Sequence, residues 1–236
     1  MEGQYREIPW PWPLFLSRHP GPARWRLRLR IEGRRGAGED GPLRWAHGAY
    51  LGPGFWLAPP QQDACYQAEV SSPVACMGAL AAALVHEASR GEFALAHGAL
   101  LAVGPCGLLV LGASGAGKST VASRAGRRTL GANAALLWRE RGHVLAMALP
   151  LTGHGDAAVI PRVVRLVGAR WLGSAPEGRS AASRVAWWLG GLASAVGRAA
   201  PLEQALWLAE RVPLRGQKVS QGIDRVVGVA RPPQAE

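Results

Sequence analysis

Residues 112–120 read Gly112-Ala113-Ser114-Gly115-Ala116-Gly117-Lys118-Ser119-Thr120 and fit the pattern G-x-x-x-x-G-K-[ST] without a mismatch. No other stretch restricts the chain as strongly. The pattern requires a strand in front and a helix behind. Gly107-Leu108-Leu109-Val110-Leu111 in front is short, uncharged and reads as a buried strand. Val121 to Arg128 behind lacks glycine except at Gly126 and suits a helix. Lysine makes the match specific, because only Lys118 and Lys218 are lysines among 27 Lys and Arg side chains. The glycines allow a tight turn with successive N–H groups facing inward. Those donors, and the positive end of the helix, form a cradle for phosphate oxygens. Lys118 is expected to reach the β- and γ-phosphates, the Ser119 hydroxyl to ligate Mg²⁺, and Thr120 to support the helix start.

A chain of 236 residues makes one large domain or two small ones. Its formal net charge of +11 comes almost wholly from arginine. That charge fits a basic surface for phosphorylated or acidic partners. The favoured reading is instead a bias that replaces Lys by Arg throughout. The arginines are scattered, apart from Arg24-Trp25-Arg26-Leu27-Arg28-Leu29-Arg30, so nucleic acid is disfavoured as a partner. Cys65, Cys76 and Cys106 show no C-x-x-C spacing, which argues against a disulfide framework and a structural zinc site. The N-terminus carries Glu2, Arg6 and Glu7 ahead of prolines and does not read as a signal peptide. Phe93 to Gly117 is long and uncharged but contains His97, Pro105 and six glycines. Two buried strands joined at Gly104-Pro105-Cys106-Gly107 explain it better than a membrane span. The expectation is a soluble cytoplasmic protein with no membrane partner.

Along the chain, residues 1–23 form a Pro- and Trp-rich lead-in. Residues 24–71 are expected to form an antiparallel layer. Its first strand, Arg24 to Ile31, alternates apolar residues with arginines. Shorter strands are expected around Leu43–Trp45, Tyr50–Leu51, Phe55–Ala58 and Cys65–Val70. Residues 72–160 are the nucleotide-binding core. Ser72 caps a helix that starts at Pro73 and runs to about Ser89. A strand Phe93–Leu101 carrying His97-Gly98 follows. After the loop and its helix come a strand Leu130–Trp138 and a strand Val144–Leu149, paired as a hairpin. A polar loop, Leu151-Thr152-Gly153-His154-Gly155-Asp156, comes next. An edge strand is expected over Val159–Leu166, confined there by Pro161. Residues 161–236 are mainly helical, with helices over Ser180–Val196 and Pro201–Arg211, then a short strand within Val212–Val219.

This order of parts resembles the catalytic domain of HPr kinase/phosphorylase, and more closely the stand-alone HPr-kinase-related proteins. The resemblance is carried by Leu95-Ala96-His97-Gly98-Ala99-Leu100-Leu101, the tight turn, and the loop to Thr120. It covers about Ser72 to Asp156. It implies an α/β fold with a P-loop mixed β-sheet of the HPr kinase/phosphoenolpyruvate carboxykinase type, here with an N-terminal antiparallel β layer and C-terminal helices. It also implies ATP, Mg²⁺ and a peptide or protein acceptor with a Ser-type hydroxyl. His97 matches the family's His-Gly strand and is a candidate for proton transfer, beside the reading of a core histidine. The family carries an Asp-Asp pair at the end of the strand after the loop's helix, one Asp for Mg²⁺ and its neighbour as the base. Here that place reads Leu130-Gly131-Ala132-Asn133-Ala134-Ala135-Leu136. Asn133 can offer an amide oxygen to Mg²⁺ beside Ser119, but no proton-accepting carboxylate. Asp156 is the best substitute acid, with a plain turn residue as the other reading.

The leading expectation is therefore an ATP-dependent kinase, with Lys118, His97 and Asp156 as catalytic candidates. The alternative is a nucleotide-binding module without turnover that acts through a partner. A P-loop hydrolase ranks lower, since no apolar strand ends in Asp. A homo-oligomer is left open.

Overall fold

In the computed structural model, the described residues are 26–31, 44–46, 48–60, 65–91, 93–149, 160, 162–173, 180–192 and 200–217. They form an α/β fold with two mixed sheets and four helices. The chain divides into two units. Among the described residues one ends at Glu87 and the other begins at Ala88.

The first unit holds β1 (Arg26–Ile31), β2 (Arg44–Ala46), β3 (Ala49–Gly52), β4 (Phe55–Ala58), β5 (Cys65–Val70) and the helix α1 (Pro73–Ala88) up to Glu87. The strand order is β1-β5-β4-β3-β2. β2 to β5 form an antiparallel meander, but β1 runs parallel to β5, from Arg26 opposite Cys65 to Ile31 opposite Val70. The layer expected to be antiparallel is thus mixed. Alternation in sequence reports which face is wet, not which way a neighbour runs. Leu27 and Leu29 are half-buried while Arg28 and Arg30 are exposed. α1 starts as expected, the Ser72 hydroxyl accepting the Ala75 N–H at 3.2 Å. The helix packs closely on its sheet: a Cβ at Gly78 would lie 2.6 Å from the Phe55 ring. Buried His86 near its end meets the Tyr50 hydroxyl at 3.0 Å through Nδ1, and Tyr66 donates to Glu87.

The second unit carries an eight-stranded mixed sheet. Its elements are β6 (Phe93–His97), β7 (Ala99–Val103), β8 (Cys106–Gly112), α2 (Lys118–Ala125), β9 (Thr129–Gly131), β10 (Ala134–Glu140), β11 (His143–Leu149), β12 (Val164–Leu172), α3 (Ala181–Gly191), α4 (Ala200–Arg211) and β13 (Leu214–Gln217). The order is β6-β10-β11-β12-β8-β7-β9, with β13 added beside β12. β8, β12 and β13 run parallel. α2 covers one face of β8, packing Val121, Ala122 and Ala125 on Leu101, Leu108, Val110 and Leu172. α3 covers the other, where Gly191 lies against Leu111 and Gly190 against Trp171. Each fully buried leucine here contributes roughly 1.5–3 kcal/mol. Ser180 caps α3, accepting the Ser183 N–H at 3.1 Å. On α4, buried Gln204 donates to the carbonyls of Ala88 and Phe93 and so holds the entry to β6. No helix among the described residues is long and apolar enough to cross a membrane.

Three expected strands differ. The run Phe93–Leu101 is broken at Gly98 into β6 and β7, and Leu130–Trp138 is broken at Ala132-Asn133 into β9 and β10. β6 ends the sheet path at one side, while β7 pairs β8 and β9 at the other. One residue joins them, so the sheet bends until its two ends meet. β12 starts later than the strand expected at Val159–Leu166 and lies inside the sheet between β11 and β8, not at an edge. Val159 and Pro161 fall outside the described residues. The expected hairpin is present as β10–β11. Its two-residue turn has φ 47° at Arg141 and 80° at Gly142, the conformation that matches the twist of paired strands.

Candidate functional site

β8 ends at Gly112, and the chain loops through Ala113–Gly117 into α2. Gly112 sits opposite Leu172 on β12. A Cβ there would lie 2.8 Å from the Leu172 carbonyl oxygen. Gly117, at φ 93°, is the N-cap of α2 and has no side chain to cap the helix. The first turn of α2 therefore has no side-chain acceptor supplied by its own cap, which suits an anion. Ser119 and Thr120 in that turn are exposed, as are Ala113, Ser114 and Gly115.

Lys118 behaves differently from its neighbours. It is only 7% exposed, and its Nζ donates to the carbonyls of Gly112 at 2.8 Å and Ala113 at 2.9 Å. The ammonium is thereby folded onto the start of the loop. Burial holds its pKa below the ordinary lysine value.

The bend in the sheet supplies two more candidates. Gly98 donates its N–H to the Asn133 carbonyl at 3.1 Å, stitching the β6–β7 and β9–β10 breaks together. This sets His97 at the end of β6, opposite Ala134 and next to Asn133. The His97 ring is partly exposed. Its pKa lies below 6.5, lowered first by partial burial and then by the Lys118 charge, and raised by a hydrogen bond to the Asn133 backbone. His97 and Asn133 therefore stand together at one corner, with the Lys118 charge near enough to act on His97. Asp156 lies outside the described residues. Gly98, noted in sequence only as part of the His-Gly pair, is the residue that brings the corner together. The available signal was a glycine inside an apolar strand, which marks a close approach.

At neutral pH His97 is uncharged and able to accept a proton. The sign is testable. In Lys118→Ala the loss of the positive charge moves the His97 titration upward, toward 6.5, in an NMR pH series. Because folding lowers this pKa, the unfolded chain binds more protons between the folded value and 6.5. Its contribution to stability therefore falls as pH drops through that window and levels off below it.

The loop thus offers exposed residues, a helix start without a side-chain cap, and a lysine. For Mg²⁺ the described residues offer the Ser119 hydroxyl and the Asn133 amide. Among them no three His, Cys, Asp or Glu side chains come together to hold a metal. Mg²⁺ is usually held through one or two carboxylates and substrate phosphates, so the described residues alone do not make its site.

No family model matches the chain, and no curated protein does. Among solved structures, part of the chain is similar to the HPr(Ser) kinase/phosphatase from Coxiella burnetii. The two share 16% identity over 36% of this chain and 69% of that one, with a TM-score of 0.30.

Proposed function

We propose that the chain is an ATP-dependent kinase of the HPr-kinase-related type. It binds ATP at Gly112–Thr120 and passes the γ-phosphoryl to a Ser-type hydroxyl of a peptide or protein. The observation that supports this most is the buried Lys118 ammonium at the start of the loop, bound to the Gly112 and Ala113 carbonyls. A desolvated cation interacts more strongly with a developing phosphoryl charge than a hydrated one. Lys118 leaves the two carbonyls to meet the phosphates, the loop N–H groups orient them, and His97 takes the acceptor hydroxyl proton. Asp156 is the carboxylate assigned to support that step. Mg²⁺, when bound with the nucleotide beside Ser119 and Asn133, supplies charge neutralisation at the phosphates. The test is binding and turnover of ATP with Mg²⁺ by the purified protein, with and without a Ser-containing peptide. Binding without any turnover would sink the kinase reading.

One observation favours a second reading, a nucleotide-binding module without turnover. The corner holds Asn133 where the resemblance implies an acid, and an amide does not take a proton at neutral pH. Asn133→Asp separates the two readings. If the site lacks only that carboxylate, the variant gains turnover by about 10²-fold or more, the range of a positioned general base. If wild type already turns over and Asn133→Asp leaves the rate unchanged, Asn133 has no part in the chemistry.

A further inference from the structure

β12 and β13 run parallel with Arg170 directly opposite Arg215, so both side chains stand on one face of the sheet. Like charges in that relation repel. Arg170 is half-buried, and among the described residues its guanidinium donates only to the adjacent Ala169 carbonyl, at 3.3 Å. Arg215 is exposed. A guanidinium has five N–H donors in a fixed fork, and one long bond to a neighbouring carbonyl leaves most of them unused.

We propose that Arg170 and Arg215 form a second oxyanion site, which takes an acidic side chain of the peptide or protein acceptor. As an acceptor site it rests on the kinase reading above. Two guanidinium forks facing one carboxylate convert the repulsion into a shared charge-assisted contact. Burial first, and then the neighbouring Arg215 charge, push the Arg170 pKa down.

The location suits an acceptor. Arg170 is opposite Val110 on β8, and Leu172 is opposite Gly112, where the loop begins. Arg170 thus lies one strand repeat, about 7 Å along β12, before the residue that faces the start of the loop, and Arg215 stands one strand further out. Val110 and Leu172 both pack against α2, so Arg170 shares the face that α2 covers.

The probe is a fluorescein-labelled hexaglutamate peptide, followed by anisotropy in the absence of nucleotide. Arg170→Gln and Arg215→Gln should each weaken binding about tenfold, the loss of one charge-assisted contact. Arg165→Gln removes the same charge from an exposed site nearer the start of β12 and should change binding by less than about twofold. Because Arg215 is exposed, its variant keeps the test valid if Arg170→Gln misfolds. Equal losses in all three variants would overturn the proposal, since net charge alone would then explain binding. Failure of the kinase reading is read separately, from ATP affinity in wild type and Lys118→Ala.

Discussion

Lys118→Ala should lower phosphoryl turnover by about 10²- to 10³-fold, the loss seen when one preorganised charge-stabilising donor is removed. The geometry explains the size. Lys118 is buried and already desolvated, held within 2.9 Å of the Gly112 and Ala113 carbonyls. Moving it to a phosphate exchanges two neutral acceptors for an anionic one without a further solvation cost. Lys118→Arg should not rescue, because a planar fork does not fit the place of a compact ammonium between two carbonyls. Thermal unfolding provides the control. A Lys118→Ala variant that still unfolds in one cooperative transition shows that the lost turnover does not reflect a lost fold. Unchanged ATP affinity and turnover in Lys118→Ala would remove the loop from the mechanism.

Gly98→Val should destabilise the protein by about 3 kcal/mol, and Gly98→Ala by about 2, typical of overpacking at a closed backbone contact. A Cβ at Gly98 would lie 2.6 Å from the Val110 carbonyl oxygen and 3.0 Å from Leu111. The nearest obstacle is backbone, which cannot rotate away as a side chain can. Gly168 on the same sheet is the natural comparison, as a Cβ there meets its nearest atom at 3.4 Å. Gly168→Ala should therefore cost under about 1 kcal/mol. Urea unfolding of the three variants measures the difference. Gly98→Ala should also shift the His97 titration, since His97 is held through the same corner. A Gly98→Ala no weaker than Gly168→Ala would mean the corner yields easily.

Local signals carried α1, the β10–β11 hairpin, α4 and the strand–loop–helix around Lys118. Ser72-Pro73, the Arg141-Gly142 turn and the run of glycines each act over a few residues, where chain geometry is decided by the residue itself. The bend at Gly98 and Ala132-Asn133 was not legible. Phe93–Leu101 and Leu130–Trp138 are interrupted only by His97-Gly98 and Asn133, with apolar residues on both sides. One polar residue in an apolar run does not report a strand leaving one neighbour for another. The parallel pairings of β1 with β5 and of β8 with β12 are long-range, and nothing within either strand names its partner. The candidate corner was visible as residue types, through His97-Gly98 and Asn133. Its assembly depends on how distant strands meet.

During synthesis, β8 leaves the ribosome with β7 and soon gains β9, but β12 follows only after the hairpin. Until Leu172 has been made, the strand leading into the loop has one unpaired edge and Gly112 has nothing to approach. A nascent chain that stops after α2 thus carries every residue of the loop on a half-paired strand. Nucleotide binding by ribosome-bound chains should begin only when β12 has emerged, so the time of its onset reports when the parallel pair closes.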